Sequence, residues 1–249
     1  MSGMHVTFND GITGQGAGLL GLVRRAAVAA VLLVMLGGGA FAQSRHDRQY
    51  EPGRFDFYVL SLSWSPSFCA AAAERDANGR SNRRPDPQCG GRPFSFVVHG
   101  LWPQFERGFP SQCQNPAPWL DRSVINHTLD IMPSTGLIIH EWKQHGTCSG
   151  LSARGYFDTV RKARERVMIP PVFNDFSKPA MVAPGDVAAA FLKANPGLSP
   201  GGLMIACDSK RLSEVRVCMT KDFKFRDCPG VTRGACRRDK VYMPAVRGG

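Results

Sequence analysis

The chain has 249 residues, 43% of them hydrophobic and 20% charged, with a formal net charge of +11 and eight cysteines. This composition excludes a chain that is mainly disordered or low-complexity and fits one globular domain behind an export segment. An even number of cysteines in an exported chain points to disulfides, and the positive balance suits a polyanionic partner as well as it suits plain solubility.

Arg24 and Arg25 precede an apolar run from Ala26 to Leu36, followed by Gly37-Gly38-Gly39 and the triplet Ala40-Phe41-Ala42. That layout is a cleavable signal peptide, with cleavage expected near Ala42. The run is much shorter than the roughly 20 residues a membrane-crossing helix needs, so no stable membrane anchor is expected. Residues Met1 to Leu22 carry one acid and no base, unlike the positive lead of a signal, as expected if the true start lies later. The general secretory route is favoured over twin-arginine export, because a reducing cytosol would not let several disulfides form before export. Residues 1–42 are thus read as the signal and 43–249 as a single domain. Cleavage removes two of 31 basic and one of 20 acidic residues, leaving 29 against 19 and a net charge of +10.

Phe55 to Trp64 and Phe94 to Val98 read as buried strands, and the polar, Pro/Gly-rich segment Ala73 to Gly91 between them as a loop tied down by Cys69–Cys89. Trp119 to Met132, Leu137 to His145, Tyr156 to Val167 and Val187 to Ala194 have helical patterns, with Asp186 as N-cap of the last and Gly146 as C-cap of the second. Leu203 to Cys207, Leu212 to Met219 and Phe223 to Cys228 read as strands of a C-terminal antiparallel unit. Strands and helices mix without regular alternation, which predicts an α+β fold: a central antiparallel sheet, disulfide-stapled, with helices packed mainly on one side. Eight cysteines allow 105 pairings. Cys218 and Cys228 flank a polar turn, and Cys207 with Cys236 bracket nearly the same centre, so two nested bridges are expected there.

Two segments could carry chemistry. His99 lies in Val97-Val98-His99-Gly100-Leu101-Trp102-Pro103, at the predicted end of a buried strand, where a rigid support delivers a side chain to a cleft. Alone, it reads first as a hydrogen-bonded structural histidine. The second segment is His140-Glu141-Trp142-Lys143-Gln144-His145-Gly146-Thr147-Cys148. On a helix Glu141 and His145 stand at i and i+4, so the carboxylate could orient or charge the imidazole. His140 and His145 are five apart, about 140° around the helix, so they do not form the zincin His-Glu-x-x-His pair, and no cysteine pair has zinc-knuckle spacing. Two imidazoles with a carboxylate and a lysine suit RNA phosphodiester chemistry, in which the 2′-hydroxyl is the nucleophile and the enzyme moves protons without needing a metal or other cofactor.

Both segments resemble the signature motifs of the ribonuclease T2 family, His-Gly-Leu-Trp-Pro and His-Glu-Trp-x-Lys-His-Gly-Thr-Cys. The looser similarity spans most of residues 50 to 236. The resemblance implies a secreted or periplasmic endoribonuclease acting on single-stranded RNA, with His145 as general base on the 2′-hydroxyl and His99 as general acid to the leaving oxygen. Glu141 with a neighbouring lysine would stabilise the pentacovalent phosphorus, His140 would bind phosphate, and Trp102 would stack on the base 5′ of the scissile bond. Products would be 2′,3′-cyclic phosphates, later opened to 3′-phosphates. A bridge Cys113–Cys148 would join the two motif segments. One departure stands out: the family lysine before the second-motif histidine is Gln144 here, and Lys143 sits one residue earlier, turned by about 100°. A noncatalytic RNA-binding module would be expected to lack one of the two histidines, and both are present. Arg161, Arg164 and Arg166 read as a solvated helix face, and nothing demands more than a monomer.

Overall fold

The computed structural model describes residues 51–79, 86–90 and 92–246, so the expected signal peptide lies outside the described residues. Its frame is a four-stranded antiparallel sheet in the order β2-β1-β5-β4, built from β1 (Phe57–Trp64), β2 (Phe96–Gln104), β4 (Leu203–Cys207) and β5 (Leu212–Met219). A small antiparallel pair, β3 (Ala180–Val182) with β6 (Val241–Met243), forms a second sheet, bridged to the start of β5 by Tyr242 and Arg211. The helices are α1 (Ser65–Ala77), α2 (Arg122–Thr128), α3 (Thr135–Gln144), α4 (Ala153–Glu165), α5 (Pro184–Ala194) and the short α6 (Pro229–Thr232).

Two-residue periodicity sorts the sheet's faces. In β1, Tyr58, Leu60, Leu62 and Trp64 enter the main core, and in β5, Val215, Val217 and Met219 join them. Helices α2 to α5 close that core with Val124, Ile138, Trp142, Tyr156, Phe157 and Phe191 among others. The Trp64 indole donates to the Pro244 carbonyl at 3.0 Å, and the buried Tyr156 hydroxyl donates to the Leu101 carbonyl at 2.9 Å. Phe57, Val59, Cys218 and Cys228 form a smaller cluster on the opposite face, with Trp102 and Val231 against it. The expected α+β class, with helices on one side of an antiparallel sheet, holds.

β2 departs from the sequence reading in a way that matters for the site. It does not stop at His99 but runs on to Gln104, with Pro103 inside it. Proline is tolerated there because β2 is an edge strand and its missing N–H faces no partner. Ser61 pairs with Gly100 but Leu62 with Val98, so His99 is the extra residue of a β-bulge. In a regular strand residues 99 and 102 would point to opposite faces. The bulge changes the phase: Phe96, Val98 and Leu101 face the main core, while Trp102 packs on the other face.

Other boundaries move for local reasons. The expected loop from Ala73 begins as the end of α1, a helix started by Pro66 in its first turn and carried by the alanines at 70–73. Arg211 anchors it by donating to Glu74 with both terminal nitrogens, at 2.9 and 2.8 Å. The helix expected over Trp119 to Met132 shrinks to α2, and Trp119 is 90% exposed. Asp186 lies in the first turn of α5, whose N-cap is Ala183. Phe223 to Cys228 is not a strand: Phe223 takes a positive φ of 63°, Thr220 and Lys224 close a turn, and only Phe225 bridges back to Met219. All four expected disulfides are present, Cys69–Cys89, Cys113–Cys148, Cys207–Cys236 and Cys218–Cys228.

Candidate active site

The site is assembled where β2, α3 and β5 meet. His99 comes from the bulge and Trp102 from the following residues of β2. Helix α3 is capped by Ser134, whose hydroxyl accepts from the Leu137 N–H, and buries Glu141 and Trp142. His145 is itself the C-cap of α3, so Gly146 is not the cap that its sequence position suggested. Gly146 instead opens a 3-10 turn, where a Cβ would collide with the Trp142 ring and come within 2.9 Å of Tyr156.

Trp102 is the hub. Its Nε1 donates to Glu141 Oε2 at 2.8 Å, and its ring lies 5.5 Å from His99 and 5.4 Å from His145, centroid to centroid. Arg216 stacks its guanidinium 4.7 Å over the same indole. Gly100 makes room for this arrangement, since a Cβ there would collide with the Glu141 carboxylate and lie 2.5 Å from Trp102 Nε1. Beside these groups opens a cleft of roughly 710 Å³, lined by Val59, Trp102, Phe105, His145, Arg216 and Arg233 among others. Apolar walls with arginines suit flat bases on a charged backbone.

Glu141 does not serve His145 as the i, i+4 spacing suggested. Its Oε1 is turned to His99, 3.6 Å from Nε2, while His145 Nδ1 is buried with no hydrogen-bond partner among the described residues. The other ring nitrogen of His99, Nδ1, meets Glu214 Oε1 at 2.6 Å. Glu214 in turn accepts from Arg216 through Nε at 2.8 Å and is paired with a terminal guanidinium nitrogen at 2.7 Å. Sequence reading did not single out Glu214 or Arg216. Alternate charges in a predicted strand ordinarily mark its solvated face, and only the sheet register brings these two over to His99.

The two histidines are driven apart electrostatically. Burial, reinforced by the charges of His140 and His99, pushes His145 down to about 3. Burial would lower His99 as well, but the hydrogen bond and charge of Glu214 and the charge of Glu141 outweigh it, against Arg216, and hold His99 above its ordinary value. Burial pushes Glu141 up to about 7, against the opposing pull of His99 and of the Trp102 hydrogen bond. Glu214 is also buried, which would raise it, yet its contacts with His99 and Arg216 hold it at about 2. The surroundings therefore favour an ionised Glu214 beside a protonated His99, and a neutral His145.

His140 and Lys143 lie on the exposed side of α3. Lys143 is not drawn into the buried cluster, and Gln144 is half-buried with its carbonyl accepting from the Gln112 N–H at 2.9 Å. The arginine run on α4 is a structural surface: Arg161 grips Asp130 at 2.7 and 2.8 Å and Arg164 donates to the Val167 carbonyl at 2.8 Å. Among the described residues no group of three or more His, Cys, Asp or Glu is placed to hold a metal ion, and no helix is long and apolar enough to cross a membrane.

Fold and site together define a disulfide-stapled α+β protein with paired histidines and carboxylates beside a basic, aromatic cleft. A sequence profile of the Ribonuclease T2 family matches residues 55–228, more than half of the chain. A ribonuclease of Aeromonas hydrophila is 36% identical over 197 residues, covering 77% of this chain and 84% of that one. A probable ribonuclease of Haemophilus influenzae is 31% identical over 192 residues, covering 74% and 64%. Among solved structures, RNase NT in complex with 5′-AMP superposes with a TM-score of 0.57 at 25% identity, covering 77% of this chain and 98% of that one. This chain belongs to the ribonuclease T2 family.

Gly100→Ala should displace Glu141 and the Trp102 indole by about the width of a methyl group. A shift of that size lowers kcat on RNA by about a hundredfold, and circular dichroism of the variant should retain the wild-type fold signature. Wild-type kcat in a folded Gly100→Ala protein would contradict the close-approach role given to Gly100.

Proposed function

We propose that this ribonuclease is a single-strand endoribonuclease that cleaves by transphosphorylation, with His145 as general base and His99 as general acid. The observation that carries this reading is geometric: two imidazoles flank one indole, His99 with two carboxylates against its ring nitrogens and His145 with none. A base must be neutral to take the 2′-hydroxyl proton, and the depressed His145 is neutral. An acid must hold a proton for the departing 5′ oxygen, and His99, paired with Glu214 and near Glu141, holds one. The 2′ oxygen attacks phosphorus as its proton passes to His145, and the 5′ P–O bond breaks as His99 gives up its proton. The products are a 2′,3′-cyclic phosphate and a 5′-hydroxyl end. Hydrolysis of the ring runs the roles in reverse: His99, now neutral, takes a proton from water, and His145 protonates the 2′ oxygen, leaving a 3′-phosphate.

Charge developing on the non-bridging oxygens is met at Glu141. Its raised value leaves it largely protonated at acidic pH, able to donate through the oxygen that Trp102 does not hold. His140 and Lys143, on the exposed side of the same helix, are the groups offered to the phosphate, Lys143 standing in for the family lysine that Gln144 replaces. Trp102 offers the base 5′ of the scissile bond an aromatic edge of the cleft, with Arg216 on one of its faces. RNA carries its own nucleophile, so no step requires a metal or another cofactor. The working form is a monomer of residues 43–249, secreted or periplasmic after cleavage near Ala42; N-terminal sequencing of the exported protein should begin at Gln43.

Digestion of single-stranded RNA by residues 43–249 should proceed undiminished in a chelator and yield cyclic phosphate ends. His99→Ala and His145→Ala should each lower kcat by about 10²- to 10⁴-fold. In the wild type, kcat/KM should stay high well below the ordinary imidazole value of about 6.5. The acid limb moves down because His145 resists protonation, and the alkaline limb has two contributors, Glu141 losing its proton near 7 and His99, which resists losing its own. A folded wild type that binds RNA and cuts none of it across that range would overturn the assignment in favour of a binding module.

A further inference from the structure

The central strand β1 separates β2 from β5, yet side chains of the outer two meet across it. On the site face β1 presents Ser61 and Ser63, opposite Arg216 and Glu214 on one side, with Ser61 opposite Gly100 on the other. Strands two apart lie roughly 10 Å from each other. A large residue at these positions of β1 would fill the gap, whereas two serines leave room for His99 and Glu214 to reach over the strand and touch. The contact is 2.6 Å, Nδ1 to Oε1, with the Glu214 side chain 12% exposed. Arg216 then holds the far carboxylate oxygen, Oε2, through two nitrogens.

We propose that Glu214 is a positioning residue for the general acid: it fixes His99 with Nδ1–H toward the carboxylate, presents Nε2 to the leaving oxygen, and supplies the charge that balances the imidazolium, while Arg216 clamps Glu214 in place. The inference rests on His99 as the acid of the reading above. The groups that face His99 are Glu214 and Arg216 from β5, Glu141 from α3 and His145 at its end. Of the two carboxylates, only Glu214 contacts the nitrogen remote from Glu141, so only Glu214 can set the tautomer without occupying the nitrogen that delivers the proton. Arg216 is bound to the same carboxylate and stacked on Trp102, so it also joins this support to the wall of the cleft.

Glu214→Gln keeps the shape of the side chain and removes its charge. Nuclear magnetic resonance titration of His99 in the free protein should show its midpoint falling by about one to three pH units, the range set by an opposite charge in contact. The alkaline limb of kcat should fall with it, because the acid then loses its proton at lower pH. Arg216→Gln removes a like charge while leaving a side-chain amide that can still donate to Glu214, so both readouts should move the other way. Damage to the fold has no reason to produce shifts of opposite sign in the two variants. An unmoved His99 midpoint in Glu214→Gln, or shifts of the same sign in both variants, would overturn the proposal. The resonance measurement needs no turnover: a wild type that fails to cut RNA would defeat the acid–base reading, and the titration would still decide whether Glu214 charges and orients His99.

Discussion

The hydrogen bond from the Trp102 indole to the Glu141 carboxylate, 2.8 Å long, joins an edge strand of the sheet to the helix packed beside it, and the site is arranged around it. It requires three things of the sequence. Gly100 must lack a Cβ, because that volume holds the carboxylate. The bulge at His99 must change the phase of β2, so that residues 99 and 102 share one face of the sheet. Helix α3 must end at His145, which swings the second imidazole off the helix face and against the indole. The Cys113–Cys148 bridge ties the end of the second segment to the chain that follows the first.

Electrostatics divide the labour between chemically identical groups. The two imidazoles differ because one has carboxylate partners and the other has burial and neighbouring imidazoles. The two carboxylates differ because Glu214 touches both an imidazole ring and a guanidinium, whereas Glu141 is held by a neutral indole at greater depth. Deep burial beside one imidazole that makes no hydrogen bond to it raises a carboxyl group; burial with a hydrogen bond to each of two cationic partners does not. Here each of the four groups has a protonation state fixed by its neighbours rather than by its type.

Much of this was legible in the chain. Aromatic and aliphatic residues in partial alternation over Phe55 to Trp64, and the pattern of Leu212 to Met219, marked the two inner strands, and helical periodicity marked α3 and α4 to within a few residues. The nested spacing of the last four cysteines gave their pairing. Helix α1 was hidden because its alanines give helical propensity without an apolar stripe, and the basic, proline-rich stretch after it dominated the reading. The strand expected at Phe223 to Cys228 failed because alternating Phe223 and Phe225 looked like a sheet pattern, whereas Thr220 and Lys224 close a turn across it. In the site, the two histidines and Glu141 stood out by their motifs. A bulge has no residue signature, and a carboxylate reaching across an intervening strand depends on register, so the bend at His99 and the role of Glu214 could come only from the structure. The i, i+4 pattern misdirected Glu141 to His145, because His145 caps the helix instead of continuing it.

The central claim is that His99 and His145 have fixed and different duties, acid and base. A substrate with sulfur in place of the bridging 5′ oxygen tests it most directly, because a thiolate leaves without needing a proton. His99→Ala should cleave this substrate at close to the wild-type rate while remaining crippled on ordinary RNA, and His145→Ala should be crippled on both. Rescue of His145→Ala with no rescue of His99→Ala would reverse the assignment, and rescue of neither would contradict a general acid acting on the leaving oxygen.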